Sequence, residues 1–229
     1  WAGFSIESIS YCLEAAKVDI SEVDYISINR DPKAAFFKKI LFLLRNKVPF
    51  SFIKDRLKNK KSIESVGQIL AEKFDANADA LQKKVKYVEH HISHLASSYY
   101  MSSFKNSDLI SIDGTGDWTC TMMATSKKNE IIPIKRIYFP NSMGVFYTAM
   151  TQFLGFPYYG DEYKVMGLSP YGEPRFMDEM REVVKSTSDG LYELNYEYFI
   201  HQQRRKSSSW EGGVPIIDTL FSQKLEELF

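Results

Sequence analysis

The order of elements along the chain predicts an α/β protein in two subdomains. Two observations carry this. Up to about residue 103, helical and extended patterns alternate as α-β-α-β-α, the order of a parallel sheet joined by crossover helices. From Asp108 onward, three extended segments follow one another directly, the order of an antiparallel meander. The change of pattern places a boundary at residues 104–107 and divides the chain into 1–105 and 106–229.

In the first part, "FSIESISYCLEAAKV" carries apolar residues at helical spacing, with Ser5 in position to cap it. "VDYISIN" follows as a short strand, and residues 32–45 as an apolar helix after Pro32. Residues 50–82 are lysine-rich at helical spacing and read as an inserted helical pair. The run from Lys54 to Lys61 is expected to be a solvated face. "KVKYVE" is a strand and 91–103 a helix.

In the second part, "DLISIDG", "DWTCTMMATS" and "EIIPIKRIYF" are strands joined by "TG" and "KKN", followed by a helix at 143–154. Residues 174–187 read as helix, "LYELNYEYF" as strand, "QQRRKSSSWEGG" as a polar surface loop and 216–229 as a closing helix.

Composition narrows the function classes. Twenty-nine basic residues balance twenty-nine acidic ones, so the chain has no overall electrostatic footprint for nucleic acid. The longest apolar stretch, "AAFFKKILFLLRNKVPFSFI", is interrupted by Lys38, Lys39, Arg45, Lys47 and Pro49 and is not expected to span a membrane. Two cysteines, Cys12 and Cys120, form no CxxC pair and favour a reducing compartment, so a cytoplasmic location is expected. The chain starts at Trp1 without a methionine and reads as a piece of a longer protein.

The chemistry concentrates in two short stretches. "KYVEHHISHLASSYYMSSF" holds three of the four histidines, with His90 and His94 one helical turn apart and His91 on another face. Two imidazoles at that spacing make half a metal site, and a strand-end Asp would complete a two-His, one-carboxylate set suited to Fe(II) or Zn(II). The alternative is that His90 and His91 cap the helix while His94 packs against Tyr99 or Tyr100. In "ISIDGTGDWT" a strand ends on Asp113, and Gly114-Thr115-Gly116 then turns the chain. Amides in such a turn can approach an anion closely, and the Asp can hold a metal. An ordinary hairpin turn uses the same residue types. In "GDEYKVMGLSPYGEP", read as a loop, Lys164 suits a phosphate and Glu162 a ribose or acceptor hydroxyl, or the Gly and Pro simply set turns. Tyr158 and Tyr159 are candidates to line the same cleft.

Taken together, "EHHISHLASSYYMSSF", "LISIDGTGDW", "PNSMGVFYTAMTQFLGF" and "GDEYKVMGLSPYGEP" resemble, in order and spacing, the family of nodulation-factor and antibiotic O-carbamoyltransferases. The resemblance implies an actin-like ATPase (ribonuclease H-like) fold, here incomplete. It implies a reaction in which ATP and carbamoyl phosphate form carbamoyl-adenylate and the carbamoyl group passes to a hydroxyl of a small-molecule acceptor. It also implies that His90, His94 and Asp113 bind iron or zinc, with His91 outside the ligand set. Asp113, Gly114, Thr115 and Gly116 would lie against the nucleotide phosphates, and Gly144 would line the same pocket. Further parts are implied beyond this chain: an opening hairpin that carries the acceptor site and the catalytic base, a fourth metal ligand, and a C-terminal adenylate-forming part. Without that hairpin the strand at 23–29 would offer an unpaired edge, open to a second copy of the chain. An actin-like module that binds ATP and transfers nothing, or a hydrolase using the same two histidines, would fit the same residues.

Overall fold

The computed structural model describes residues 4–45, 65–203, 209–211 and 214–229. Of the stretch 50–82 read as an inserted helical pair, residues 50–64, including the Lys54–Lys61 run, lie outside these residues, and the rest carries two helices.

The N-terminal helix α1 (Ile6–Ala16) turns its Ile6, Ile9 and Leu13 side inward. Ser5 sits at its N-cap, yet its side chain makes no capping bond. A strand β1 (Ile26–Ile28), a helix α2 (Phe36–Arg45), helices α3 (Val66–Phe74) and α4 (Ala78–Lys84), and a strand β2 (Val85–Tyr87) follow. The strands pair in parallel, Ile26 opposite Val85 and Ile28 opposite Tyr87, so one edge of the 23–29 segment takes β2. Ile20, Val66, Leu70, Leu81 and Val85 form the core that holds this unit together.

Helix α5 (His90–Tyr99) starts three residues after β2 and is shorter than the 91–103 expectation. The meander follows: β3 (Asn106–Gly116), β4 (Thr119–Lys127) and β5 (Glu130–Tyr138), in the order β3-β4-β5, all antiparallel. One face takes α5, whose Leu95 packs with Met122 and Ala124 against flanking Ile92, Leu109 and Ile131.

The Gly-Thr-Gly stretch is not the turn that the sequence suggested. β3 continues through it to Gly116, with the register shifting between Ile112 and Gly116, and the turn falls on Asp117 and Trp118. Both of these residues have positive φ, 53° and 79°, the signature of a two-residue hairpin whose twist suits the flanking strands. The glycines therefore shape a bulge.

Helix α6 (Met143–Phe153) begins at Ser142, whose Oγ accepts from Val145 N at 3.1 Å. The stretch read as a glycine and proline loop is in fact helical: α7 (Glu162–Leu168) followed by a single tight turn at Ser169–Tyr171. The helix expected at 174–187 ends early, as α8 (Met177–Val183), because Val184–Ser186 leaves it to form β6 against β7 (Tyr192–Leu194). Strand character in "LYELNYEYF" stops there, and Tyr196–Tyr198 is a tight helical turn. Part of the expected polar loop forms strands, β8 (Ser209–Glu211) paired with β9 (Val214–Ile216); residues 204–208 and 212–213 lie outside the described residues. The closing helix α9 covers only Gln223–Leu228. Ala149, Met150, Val183, Leu194, Phe199, Leu220 and Leu225 make the core of this last part.

Leu95 is the test of the α5–meander contact. Leu95→Ala is expected to cost about 2–5 kcal/mol of unfolding free energy in a denaturant titration, the usual range for a buried leucine. Ile110→Thr, on the exposed side of β3, is expected to stay within about 0.5 kcal/mol.

Candidate metal centre

Three consecutive residues dock the start of α5 on the meander. Glu89 forms a two-point ion pair with Arg136 of β5, Nε to Oε1 at 3.2 Å and Nη2 to Oε2 at 3.0 Å. His90 donates its backbone N–H to Asp117 Oδ2 at 2.9 Å. His91 is fully buried between β3 and β4. Its Nε2 lies 2.9 Å from the Thr119 carbonyl, which can only accept, so Nε2 carries the proton and Nδ1 accepts from Ser111 Oγ at 2.9 Å. Burial lowers the pKa of His91 and keeps the ring neutral.

With His91 turned inward, His90 and His94 are left on the other face, over Asp113. His90 Nε2 is 2.9 Å from Asp113 Oδ2 and 2.9 Å from His94 Nε2, and His94 Nε2 is 3.5 Å from the same carboxylate oxygen. The three donor atoms lie within 4.8 Å of one another. A tetrahedral ion with bonds of about 2.0–2.2 Å holds its ligand atoms about 3.3–3.6 Å apart, so a small opening of this cluster would admit one.

The supporting contacts also suit a metal. Gly114 N donates to Asp113 Oδ1 at 2.6 Å, which turns Oδ2 toward the histidines. His90 Nδ1 is buried without a well-formed hydrogen bond, and the Asn29 carbonyl helps to raise the ring's pKa. A ring bound through Nε2 must carry its proton on Nδ1, where a backbone carbonyl is a usual partner.

Without a metal, a proton holds the cluster together. The hydrogen bond with Asp113 raises the pKa of His90, and the same bond holds Asp113 well below the usual carboxylate range. His90 therefore contributes stability below its ordinary value and loses it as pH rises through its raised pKa. Asp113 contributes above its ordinary value and loses it as pH falls. Both contributions are present together between about pH 4 and pH 6.5.

Two of the sequence-predicted glycines serve the chain's own packing. A Cβ on Gly116 would lie 1.9 Å from His90 Cδ2, and one on Gly144 would lie 2.5 Å from Gly114 N. Gly114 faces open space and Thr115 is exposed, so the outer side of the bulge is accessible next to the start of α6. Ser142 ties the two together, its Oγ donating to the Gly114 carbonyl at 2.5 Å while capping α6.

Glu162 and Lys164 belong to a different neighbourhood. Thr148 of α6 donates to Glu162 Oε1 at 2.5 Å. Lys164 pairs with Asp161 at 2.7 Å and lies over the rings of Phe156 and Tyr163. Tyr158 and Tyr159 are exposed. Sequence reasoning passed over Asp117, Arg136, Ser111 and Ser142, whose roles depend on contacts 20 to 47 residues away along the chain. Glu89 carried one signal, an acidic residue beside the paired histidines.

A two-histidine, one-carboxylate cluster at the junction of a parallel strand pair and a meander thus defines the class of site. The chain matches the family described as carbamoyltransferase N-terminus over residues 3–209, and it belongs to that family. Among curated proteins it is 34% identical over 209 residues to the uncharacterized protein sll1178 of Synechocystis sp., covering 86% of this chain and 33% of that protein. It is 35% identical over 167 residues to nodulation protein NolNO of Sinorhizobium fredii, covering 73% of this chain and 23% of that protein. Nodulation protein NolO of Bradyrhizobium diazoefficiens is 34% identical over 111 residues, 48% of this chain and 20% of that protein. The chain thus spans about a third or less of the length of these relatives. No helix among the described residues is long and apolar enough to cross a membrane.

The packing around His90 gives a direct test. Gly116→Ala is expected to displace the His90 ring and destabilise the fold by about 1–3 kcal/mol, as overpacking does. Gly114→Ala meets open space and is expected to unfold at nearly the wild-type midpoint. The thiols give a second test. Burial pushes Cys120 up to about 11, so a thiol reagent near pH 7 should titrate exposed Cys12 promptly and Cys120 only on unfolding.

Proposed function

We propose that this chain is the metal- and nucleotide-binding part of an O-carbamoyltransferase of actin-like fold. In this reading a carbamoyl group activated as carbamoyl-adenylate, from ATP and carbamoyl phosphate, passes to a hydroxyl of a small-molecule acceptor. The observation that carries the reading is the convergence of His90, His94 and Asp113 on one point in a chain of the carbamoyltransferase N-terminus family. Nodulation proteins among the relatives support it. The remaining machinery, including the adenylate-forming part and the base for the acceptor, is assigned to further parts of a longer protein.

His90, His94 and Asp113 would hold iron or zinc. When bound, a divalent ion supplies a positive charge that stabilises negative oxygen developing on a carbonyl or phosphate. The chain's own residues fix where that charge sits. Asp113 presents one oxygen to the cluster because Gly114 N holds the other. His91 stays neutral and out of the ligand set because Ser111 and Thr119 satisfy both of its nitrogens. The open bulge at Gly114 and Thr115, beside the capped start of α6, is the candidate contact for nucleotide phosphates; backbone amides near a helix start favour anions. Gly116 and Gly144 set the shape of that surface by close packing. Glu162 and Lys164, held by Thr148 and Asp161, are assigned to the nucleotide or acceptor side of the cleft.

Two measurements test this. Metal binding is expected to require His90 and His94 separately, with metal content falling sharply in His90→Ala and His94→Ala by elemental analysis. Because the pKa of His90 is raised, a proton competes with the metal, so affinity should climb as pH rises through that pKa and level off above it. In the full-length protein, ATP and carbamoyl phosphate with a panel of polyols should give AMP, pyrophosphate and inorganic phosphate in equal amounts together with carbamoylated product. Nucleotide binding without transfer would instead support a binding module.

A further inference from the structure

We propose that Asp117 is a positioning residue for the metal cluster, an inference that rests on the metal-binding reading above. Asp117 contributes no atom to the converging donors. Its Oδ2 accepts two backbone N–H groups, from His90 at 2.9 Å and from Asp31 at 2.8 Å. The first of these belongs to the opening turn of α5, where N–H groups have no partner within the helix. Glu89, at the N-cap position, makes no side-chain capping bond. Asp117 therefore caps the ligand-bearing helix from a remote hairpin, with a negative charge at the positive end of the helix.

The hairpin fixes the direction of that carboxylate. Asp117 and Trp118 both have positive φ, and the Trp118 ring packs against Phe42 at 5.1 Å and Phe139 at 5.2 Å. The same five residues that supply the Asp113 ligand thus hold His90 on three sides. Asp113 Oδ2 meets its Nε2, Gly116 lies directly beneath its ring, and Asp117 takes its backbone N–H. Through Asp31, the same oxygen ties in the segment that leaves β1. One carboxylate joins the parallel strand pair, the histidine helix and the hairpin.

The test is a cobalt(II) titration of the full chain, read by competition with a chromogenic chelator and by the visible bands of the bound ion. Asp117→Ala removes both cap and charge and is expected to weaken cobalt binding by about 10–100-fold with altered bands, the usual cost of losing a group that supports a ligand. Asp117→Asn keeps an accepting oxygen and is expected to preserve the band shape and most of the affinity. Unchanged affinity and bands in Asp117→Ala overturn the proposal, as does an Asn variant as impaired as the Ala variant. Thermal unfolding of the same samples identifies a merely structural residue, whose loss would lower the melting temperature and leave cobalt affinity of the folded protein unchanged; that result also overturns it. If Asp117→Ala fails to fold, Asp117→Glu carries the test, since its longer arm moves the oxygen, and wild-type bands there count against positioning. His90→Ala and His94→Ala are the references. Wild-type binding in both would remove the metal reading and this inference with it. Loss in both, with full binding in Asp117→Ala, would remove the inference alone.

Discussion

The site depends on how the first turn of α5 is seated on the β3–β4 hairpin. Successive residues of an α-helix point about 100° apart, so one anchor leaves a helix free to roll. Here three adjacent residues are anchored in three directions: Glu89 to Arg136, the His90 backbone to Asp117, and the His91 ring to Ser111 and Thr119. Together they set both rotation and height. Once these are fixed, His94 has little choice, because a residue one turn along stacks over His90. The pairing of the two Nε2 atoms at 2.9 Å follows from bonds that neither ring makes directly with the scaffold. Burying His91 is costly unless both ring nitrogens are satisfied. They are, and the neutral ring becomes a peg.

Close packing does the rest. Glycine at 116 lets the His90 ring lie on the backbone of β3, and glycine at 144 lets the start of α6 touch the bulge at Gly114. A Cβ at either place would overlap its neighbour, so the packed elements would have to shift apart. The stretches "EHHISH", "DGTGDW" and "NSMG" are therefore one structural object. The histidine helix rests on the bulge, the bulge rests on the cap of α6, and Ser142 bonds to the bulge and to the helix at once.

Much of this was legible in the sequence and some was not, for physical reasons. The i, i+4 histidines and Asp113 are local patterns, and they do converge within 4.8 Å, although Asp113 lies within β3 and not at its end. The alternation of helix and strand up to residue 103 and the meander after it appear as β1–β2 pairing in parallel and β3-β4-β5 in antiparallel order. The turn was misplaced because Gly-Thr-Gly is strong turn chemistry, whereas Asp117 and Trp118 adopt positive φ only with the strands' twist and the Phe42 and Phe139 rings to support them. The stretch 160–174 reads as a loop from its glycines and prolines, yet Gly167 lies inside the helix and Pro170 in the tight turn after it, neither breaking it. Helix ends at 183 and 223 were misjudged because the chain beside each takes up a pairing, Val184 with Leu194 and Phe199 with Phe221, that helical periodicity does not reveal. Asp117 could not be assigned for the same reason: a cap supplied from 27 residues away has no spacing rule.

The contrast between the two sides of α6 completes the physical picture. Its N-terminal end is locked into the bulge by a buried serine and a steric contact between glycine backbones. Along its length it meets α7 through Thr148 to Glu162 and Tyr147 to the Glu162 carbonyl, while Tyr163, Met166 and Leu168 of α7 stay exposed. Local stability follows buried contact, so an element with few such contacts opens at lower cost than one with many. The cluster of His90, His94 and Asp113 is thus mounted on a segment braced from several elements, and Glu162 and Lys164 on a more lightly braced one. A metal site needs the first arrangement, since its donors must stay aimed at one point whether or not an ion is present. A lightly braced segment of the second kind can move without disturbing the histidine cluster.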